Sequence, residues 1–160
     1  MSQQQIEAFK TLMQPVIETI AQTGITADLE DKLKTAFPPG ADLFRTVELA
    51  CHEAIEAGWM CRQGGQGRRF GRVVEPSSDT DDLSIDVVDL TDIAGPHHRH
   101  PTGEVCMVMP ITKAARFDGH GAGWCVNLPG TAHHPTVSGG RALVLYLLPE
   151  GRIEFTAQLQ

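Results

Sequence analysis

Nothing in these 160 residues marks the chain for a membrane or for nucleic acid. No apolar run approaches the ~18 residues that a spanning helix needs. Positive charge is scarce: 13 Lys and Arg stand against 20 Asp and Glu, a net charge of −7, which disfavours polyanionic partners. The opening MSQQQIEAFK has no basic stretch leading into an apolar core, so a cytoplasmic protein is expected. Its four cysteines (Cys51, Cys61, Cys106 and Cys125) contain no Cys-x-x-Cys pair, and reduced thiols follow for a chain without an export signal. Internal repeats and low-complexity tracts are missing too. What remains is 41% apolar and 21% charged, the composition of one globular domain able to bury a core without staples.

The pattern changes near residue 65. Ile6, Phe9, Leu12, Met13, Val16, Ile17 and Ile20 recur at helical spacing over residues 4–22, with Pro15 expected to kink or split the helix. Thr26 is placed to cap a second helix that ends at Pro38-Pro39-Gly40, and Asp42 opens a third that closes at Gly58. From Arg68 onward short β-branched and aromatic runs are broken by Gly, Pro, Asp and Ser. Strands are expected at 69–74, 83–90, 104–109, 124–127, 142–148 and 152–155, with Glu150-Gly151 as the tip of a closing hairpin. The fold class is therefore mainly β: a barrel or jelly roll over residues 65–160, with about three helices in residues 1–64 packed on its outside or mediating a homodimer.

Six of the seven histidines fall between His97 and His134. His98 and His100 are two apart, so an extended segment sends both to one face, and Glu104 keeps that parity unless the turn at 101–103 breaks it. A third imidazole arrives from Pro129-Gly130-Thr131-Ala132-His133-His134, through either His133 or His134. Three imidazoles and a carboxylate suit a divalent first-row ion (Fe, Mn, Zn or Ni) with positions left for water or substrate. His52, His97 and His120 fall outside this pattern and read as ordinary.

The His-x-His…Glu segment and the run Gly123 to Gly130, with His133 downstream, resemble the two cupin motifs. A closer resemblance covers most of the chain. Residues 57–59, 69–73, 95–104, 115–119, 123–137 and 139–149 look like the 4-hydroxylaminobenzoate lyase family, a cupin-like family from nitroaromatic breakdown. The resemblance implies a cupin fold and conversion of 4-hydroxylaminobenzoate to protocatechuate and ammonium.

That chemistry assigns expected roles. His98, His100, Glu104 and His133 would hold the ion, and Glu104 could serve as general base instead. His134 is a candidate proton carrier. A small aromatic carboxylate as substrate calls for a cation, and Arg69, Arg72 and Arg116 are the candidates. Arg69 and Arg72 differ in strand parity, so at most one of them should face inward unless a bulge intervenes. Trp124 and Tyr146 are candidates for the pocket wall. Two other readings use the same residues: a cupin dioxygenase acting on an aromatic acid, and a non-catalytic cupin that binds a small ligand. The second is disfavoured by acidic N-terminal helices with no basic recognition face.

Overall fold

The apolar stripe of residues 4–22 becomes the buried face of one uninterrupted helix. The computed structural model describes residues 3–156. Helix α1 spans Gln3–Thr23, α2 Leu29–Ala36 and α3 Asp42–Glu56. Pro15 does not split α1. It lies on the exposed side, and so does Thr11, whose carbonyl loses its N–H partner to the proline ring. The helix is held instead by Phe9, Met13, Val16, Ile17 and Ile20 on the buried face. Gly24 ends it in the left-handed region (φ 80°), donating its N–H to the Ile20 carbonyl at 2.7 Å. The expected Thr26 cap gives way to Asp28, which caps α2 without a side-chain hydrogen bond.

Ten strands follow: β1 Gln63–Gly65, β2 Arg68–Val74, β3 Leu83–Ala94, β4 His98–His100, β5 Glu104–Pro110, β6 Arg116–Phe117, β7 Gly123–Asn127, β8 Thr131–His133, β9 Thr136–Pro149 and β10 Glu154–Phe155. All the pairings are antiparallel. One seven-stranded sheet runs β1-β2-β3-β9-β5-β7 with β6 paired to β9, and a three-stranded sheet runs β10-β4-β8. The expected mainly β part is thus built as a large and a small antiparallel sheet. Among the described residues no helix is long and apolar enough to cross a membrane.

The central strands of the large sheet are buried on both faces, and their parity sorts the residues. Ile85, Val87, Val105, Met107, Met109, Leu143, Leu145, Leu147 and Trp124 share a core with the three helices. Cys106, Val108, Cys125, Ala142, Val144, Tyr146 and Leu148 form a second core on the other face, with Phe117 and Val137. Helix α2 covers the edge strand β7: the Val126 N–H donates to Glu30 Oε1 at 2.8 Å, and Trp124 Nε1 donates to the Phe37 carbonyl at 2.8 Å. That occupies a sheet edge that would otherwise be open to pairing. The Glu150-Gly151 turn forms, with both residues at positive φ, but it does not close a hairpin. Instead β10 leaves β9 and pairs with β4 in the small sheet.

Candidate metal centre

His98 and His100 stand on β4, His133 on β8 and Glu104 on β5, so the small sheet supplies the imidazoles and the large sheet the carboxylate. The register pairs His98 with His133 directly. The turn over 101–103 ends β4 and starts β5 in the other sheet, so convergence comes from two facing sheets and not from parity along one strand. Gly103 makes that turn possible. It sits at φ 92°, and a Cβ there would lie 2.6 Å from Ile25 Cγ2, so both backbone and packing demand glycine.

One ligand atom from each of His98, His100, Glu104 and His133 lies within 4.8 Å of the others. His133 Nε2 is 3.1 Å from His98 Nε2 and 3.7 Å from Glu104 Oε1. His100 Nε2 is 3.2 Å from Glu104 Oε1, and His98 Nε2 is 3.5 Å from Glu104 Oε2. These are close approaches without hydrogen-bond direction for two of the atoms: His100 Nε2 and Glu104 Oε2 are buried with no hydrogen-bond partner. Orphaned buried polar atoms are costly. A cation among them would satisfy both, and the donor types are those of a first-row divalent ion. Burial alone would raise the Glu104 carboxyl, but the flanking His100 and His98, in their protonated form, outweigh it and hold Glu104 well below the usual carboxylate range.

The surroundings set the imidazole tautomers. Thr131 Oγ1 donates to the Leu128 carbonyl at 2.6 Å, so at its 3.0 Å contact with His100 Nδ1 it accepts. His133 Nδ1 lies 2.6 Å from Asp118 Oδ2, an acceptor only. Both rings therefore carry their proton on Nδ1 and turn the Nε2 lone pair to the centre, the arrangement by which outer groups orient metal-binding histidines. Around Glu104, Asn127 Nδ2 donates to Oε1 at 2.9 Å, and the Cys106 thiol donates to the same oxygen at 3.1 Å.

His134 is not part of this cluster. It is exposed, its Nδ1 sits 3.2 Å from the Gly95 carbonyl, and its ring packs on His97 with centroids 4.8 Å apart. Consecutive residues of an extended segment face opposite ways, so choosing His133 excludes His134. The expected role of His134 as proton carrier at the centre is corrected accordingly.

Beside the centre lies a cavity of about 260 Å³ into which His98 opens. Its walls are mostly apolar: Phe70, Val88, Leu90, Pro96, Pro135, Ile153 and Phe155, joined by Tyr146. Arg68, Arg72 and Asp86 supply its charged lining. Of the three expected arginines only Arg72 reaches it. Arg69 has the opposite parity and is exposed, while Arg116 lies on the surface with its guanidinium on the Lys113 and Ala115 carbonyls. Trp124 is no part of the cavity wall either. It belongs to the helix-facing core, edge-on to Phe44 at 6.1 Å. The register shift in β2 falls between Arg72 and Val74, beyond the arginines, so it does not rescue Arg69.

Asp118, Thr131, Asp86 and Arg68 were not legible as site residues. Asp118 lies in one of the stretches carrying the family resemblance, but nothing in its spacing tied it to His133.

A family model described as 4-hydroxylaminobenzoate lyase (PnbB) matches residues 11–155. The chain is 30% identical over 150 residues to a 4-hydroxylaminobenzoate lyase of Nocardioides sp. (strain LMS-CY), covering 88% of this chain and 89% of that protein. It is 28% identical over 151 residues to one from Pseudomonas putida, covering 84% and 86%. Among solved structures, a DMSP lyase from Ruegeria pomeroyi superposes with a TM-score of 0.42 at 17% identity, covering 94% of this chain and 96% of that one. An RmlC-like cupin protein from Ralstonia eutropha superposes with a TM-score of 0.44 at 14% identity, covering 59% and 62%.

Proposed function

The chain belongs to the 4-hydroxylaminobenzoate lyase family, and on that premise we propose that it is a metal-dependent carbon–nitrogen lyase converting 4-hydroxylaminobenzoate, or a related aryl hydroxylamine, to protocatechuate and ammonium. The observation that carries the proposal is the meeting of two features at His98: a buried His3Glu cluster and an apolar cavity wide enough for a single aromatic ring.

The overall change is redox-neutral. One water is consumed and one ammonia leaves, so no electron acceptor is needed. The N–O bond breaks, a water oxygen bonds to the neighbouring ring carbon, and hydrolysis of the C=N bond releases nitrogen before the ring regains aromaticity. His98, His100, Glu104 and His133 would hold the ion, which supplies Lewis acidity and a bound water of lowered pKa.

The remaining tasks fall to the cavity. Phe70, Val88, Leu90, Ile153 and Phe155 flank the ring and keep bulk water from it. Tyr146 is buried, and burial together with the charge of Glu104 pushes its phenol well above its ordinary pKa. It therefore stays protonated as a donor for the departing hydroxyl. Asp86 stands opposite Tyr146 in the register and is held by Arg72 through Nε–Oδ1 at 2.8 Å. Burial, together with the charges of Glu75 and Glu104, raises the Asp86 carboxyl against the pull of Arg72.

The test is conversion of 4-hydroxylaminobenzoate under strict anaerobiosis. Ammonium and protocatechuate should appear in equal amounts, with heavy oxygen from labelled water in the ring. Turnover that requires molecular oxygen would replace this reading with a dioxygenase.

A further inference from the structure

We propose that Arg68 is the group that binds the substrate carboxylate, at the end of the cavity away from the metal-binding cluster. The inference rests on the lyase reading and adds to it the residue that selects an anionic ring.

Two guanidinium groups line the cavity, and they are in different states. Arg72 is already committed: its Nε and Nη2 meet Asp86 at 2.8 and 3.4 Å, Nη2 also donates to the Gly151 carbonyl at 3.0 Å, and Nη1 is 3.6 Å from Glu75. A second carboxylate brought to Arg72 would have to compete with Asp86. Arg68, by contrast, makes no ion pair with any acid among the described residues. Its guanidinium carbon sits 4.4 Å from the centroid of the Phe70 ring, on the half-buried part of β2. Stacking on an aromatic face steadies a cation without using its hydrogen-bonding fork. The result is a pre-positioned, partly desolvated guanidinium whose donors remain available in a mainly apolar cavity. A planar carboxylate on an aromatic ring would take two of those donors at once, while its ring lies against the same apolar wall.

The register supports the placement. On β2, residues Arg68, Phe70 and Arg72 share the cavity-facing parity. Arg72 is in line with Asp86, Tyr146 and Cys106 across the sheet, and Cys106 donates to the candidate ligand Glu104. Arg68 is in line with Leu90 and Ala142. The two arginines are therefore four residues apart, roughly 13 Å along the strand. A para-substituted ring with its hydroxylamine near Tyr146 and His98 extends its acid toward Arg68. The remaining acid of the lining, Asp86, is neutralised by Arg72, so an unpaired positive charge stays at the Arg68 end.

The experiment compares 4-hydroxylaminobenzoate with phenylhydroxylamine, which lacks the carboxylate, on the purified metal-loaded protein and on Arg68→Gln. Metal content and melting temperature are measured for both. The expected result is a KM for 4-hydroxylaminobenzoate raised about ten-fold or more, with metal content unchanged and kcat/KM for phenylhydroxylamine moved less than about two-fold. Arg68→Lys should recover part of the affinity but not the bidentate geometry. If Arg68→Gln does not fold, Arg68→Lys carries the test through the same ratio of the two substrates. Equal losses on both substrates, or no loss on either, would overturn the assignment. If the wild type converts neither compound, the lyase reading fails by itself. Calorimetric titration with benzoate then decides Arg68, because a ten-fold weakening in Arg68→Gln supports it and an unchanged affinity overturns it.

Discussion

Replacing Asp118 by Asn isolates what a carboxylate outside the candidate metal cluster does for it. Asp118 accepts on both oxygens, from His133 Nδ1–H at 2.6 Å and from the Thr136 N–H at 2.9 Å. Asparagine has nearly the same shape and tolerates the left-handed backbone at this position (φ 49°). Strain is therefore not the perturbation, as it would be with alanine. Asn has one acceptor oxygen, however, and its amide nitrogen must face one of the two donors. If the oxygen stays on Thr136, the amide donates to His133 Nδ1, the ring proton moves to Nε2, and the lone pair facing the cluster is lost. If the oxygen turns to His133, the tautomer survives but the charge that makes the imidazole a better donor is gone. Losses of this type typically cost 10- to 100-fold in metal affinity, about 1.4–2.7 kcal/mol at ~1.36 kcal/mol per decade. The assay is competition for Zn(II) or Co(II) against a chelator of known strength, with circular dichroism to confirm folding. Affinity within two-fold of wild type would refute the claim that Asp118 sets the His133 tautomer. A comparable loss in Thr136→Ala, which keeps that backbone N–H, would refute it as well.

Three further outcomes are expected. His98→Ala or His100→Ala should lose most of the bound divalent ion, read by elemental analysis of purified protein, and full occupancy in both would remove the cluster as the binding site. Pro15→Ala should stabilise the fold by about 1–3 kcal/mol, because it restores an N–H for the Thr11 carbonyl and removes a ring from a helix interior; an unchanged or lower midpoint in urea would contradict this. Burial raises Glu30, but hydrogen bonds from Lys34 and the Val126 N–H outweigh it and leave the carboxyl below its ordinary value of 4.5. A depressed carboxyl contributes stability that is present above the unfolded-state pKa and lost as pH falls through the folded one. The melting-temperature deficit of Glu30→Gln should therefore be visible at pH 7 and close in acid below the usual carboxylate range; a deficit independent of pH would show that the charge is not involved.

Periodicity along the chain was enough to separate three N-terminal helices from a β region near residue 65, because helix faces and strand faces impose different spacings on apolar residues. It also singled out His98, His100, Glu104 and a histidine from 133–134, since so many ligand-type side chains rarely gather by accident in a chain with seven histidines. Tertiary structure decided the rest. The three-residue strands β4 and β8 carry histidines in place of alternating hydrophobes, so nothing local announced them as strands, and only their mutual pairing defines which of His133 and His134 turns inward. β5 and most of β9 are buried on both faces. Their composition therefore shows no alternation, and the wall to which Tyr146 or Trp124 belongs could not be read from it. Which arginine meets the cavity follows from the register of β2 on β3, and whether it is free follows from Asp86, 14 residues away. Such facts are properties of distances between segments far apart in the chain, and a linear pattern carries them only after the sheets have closed.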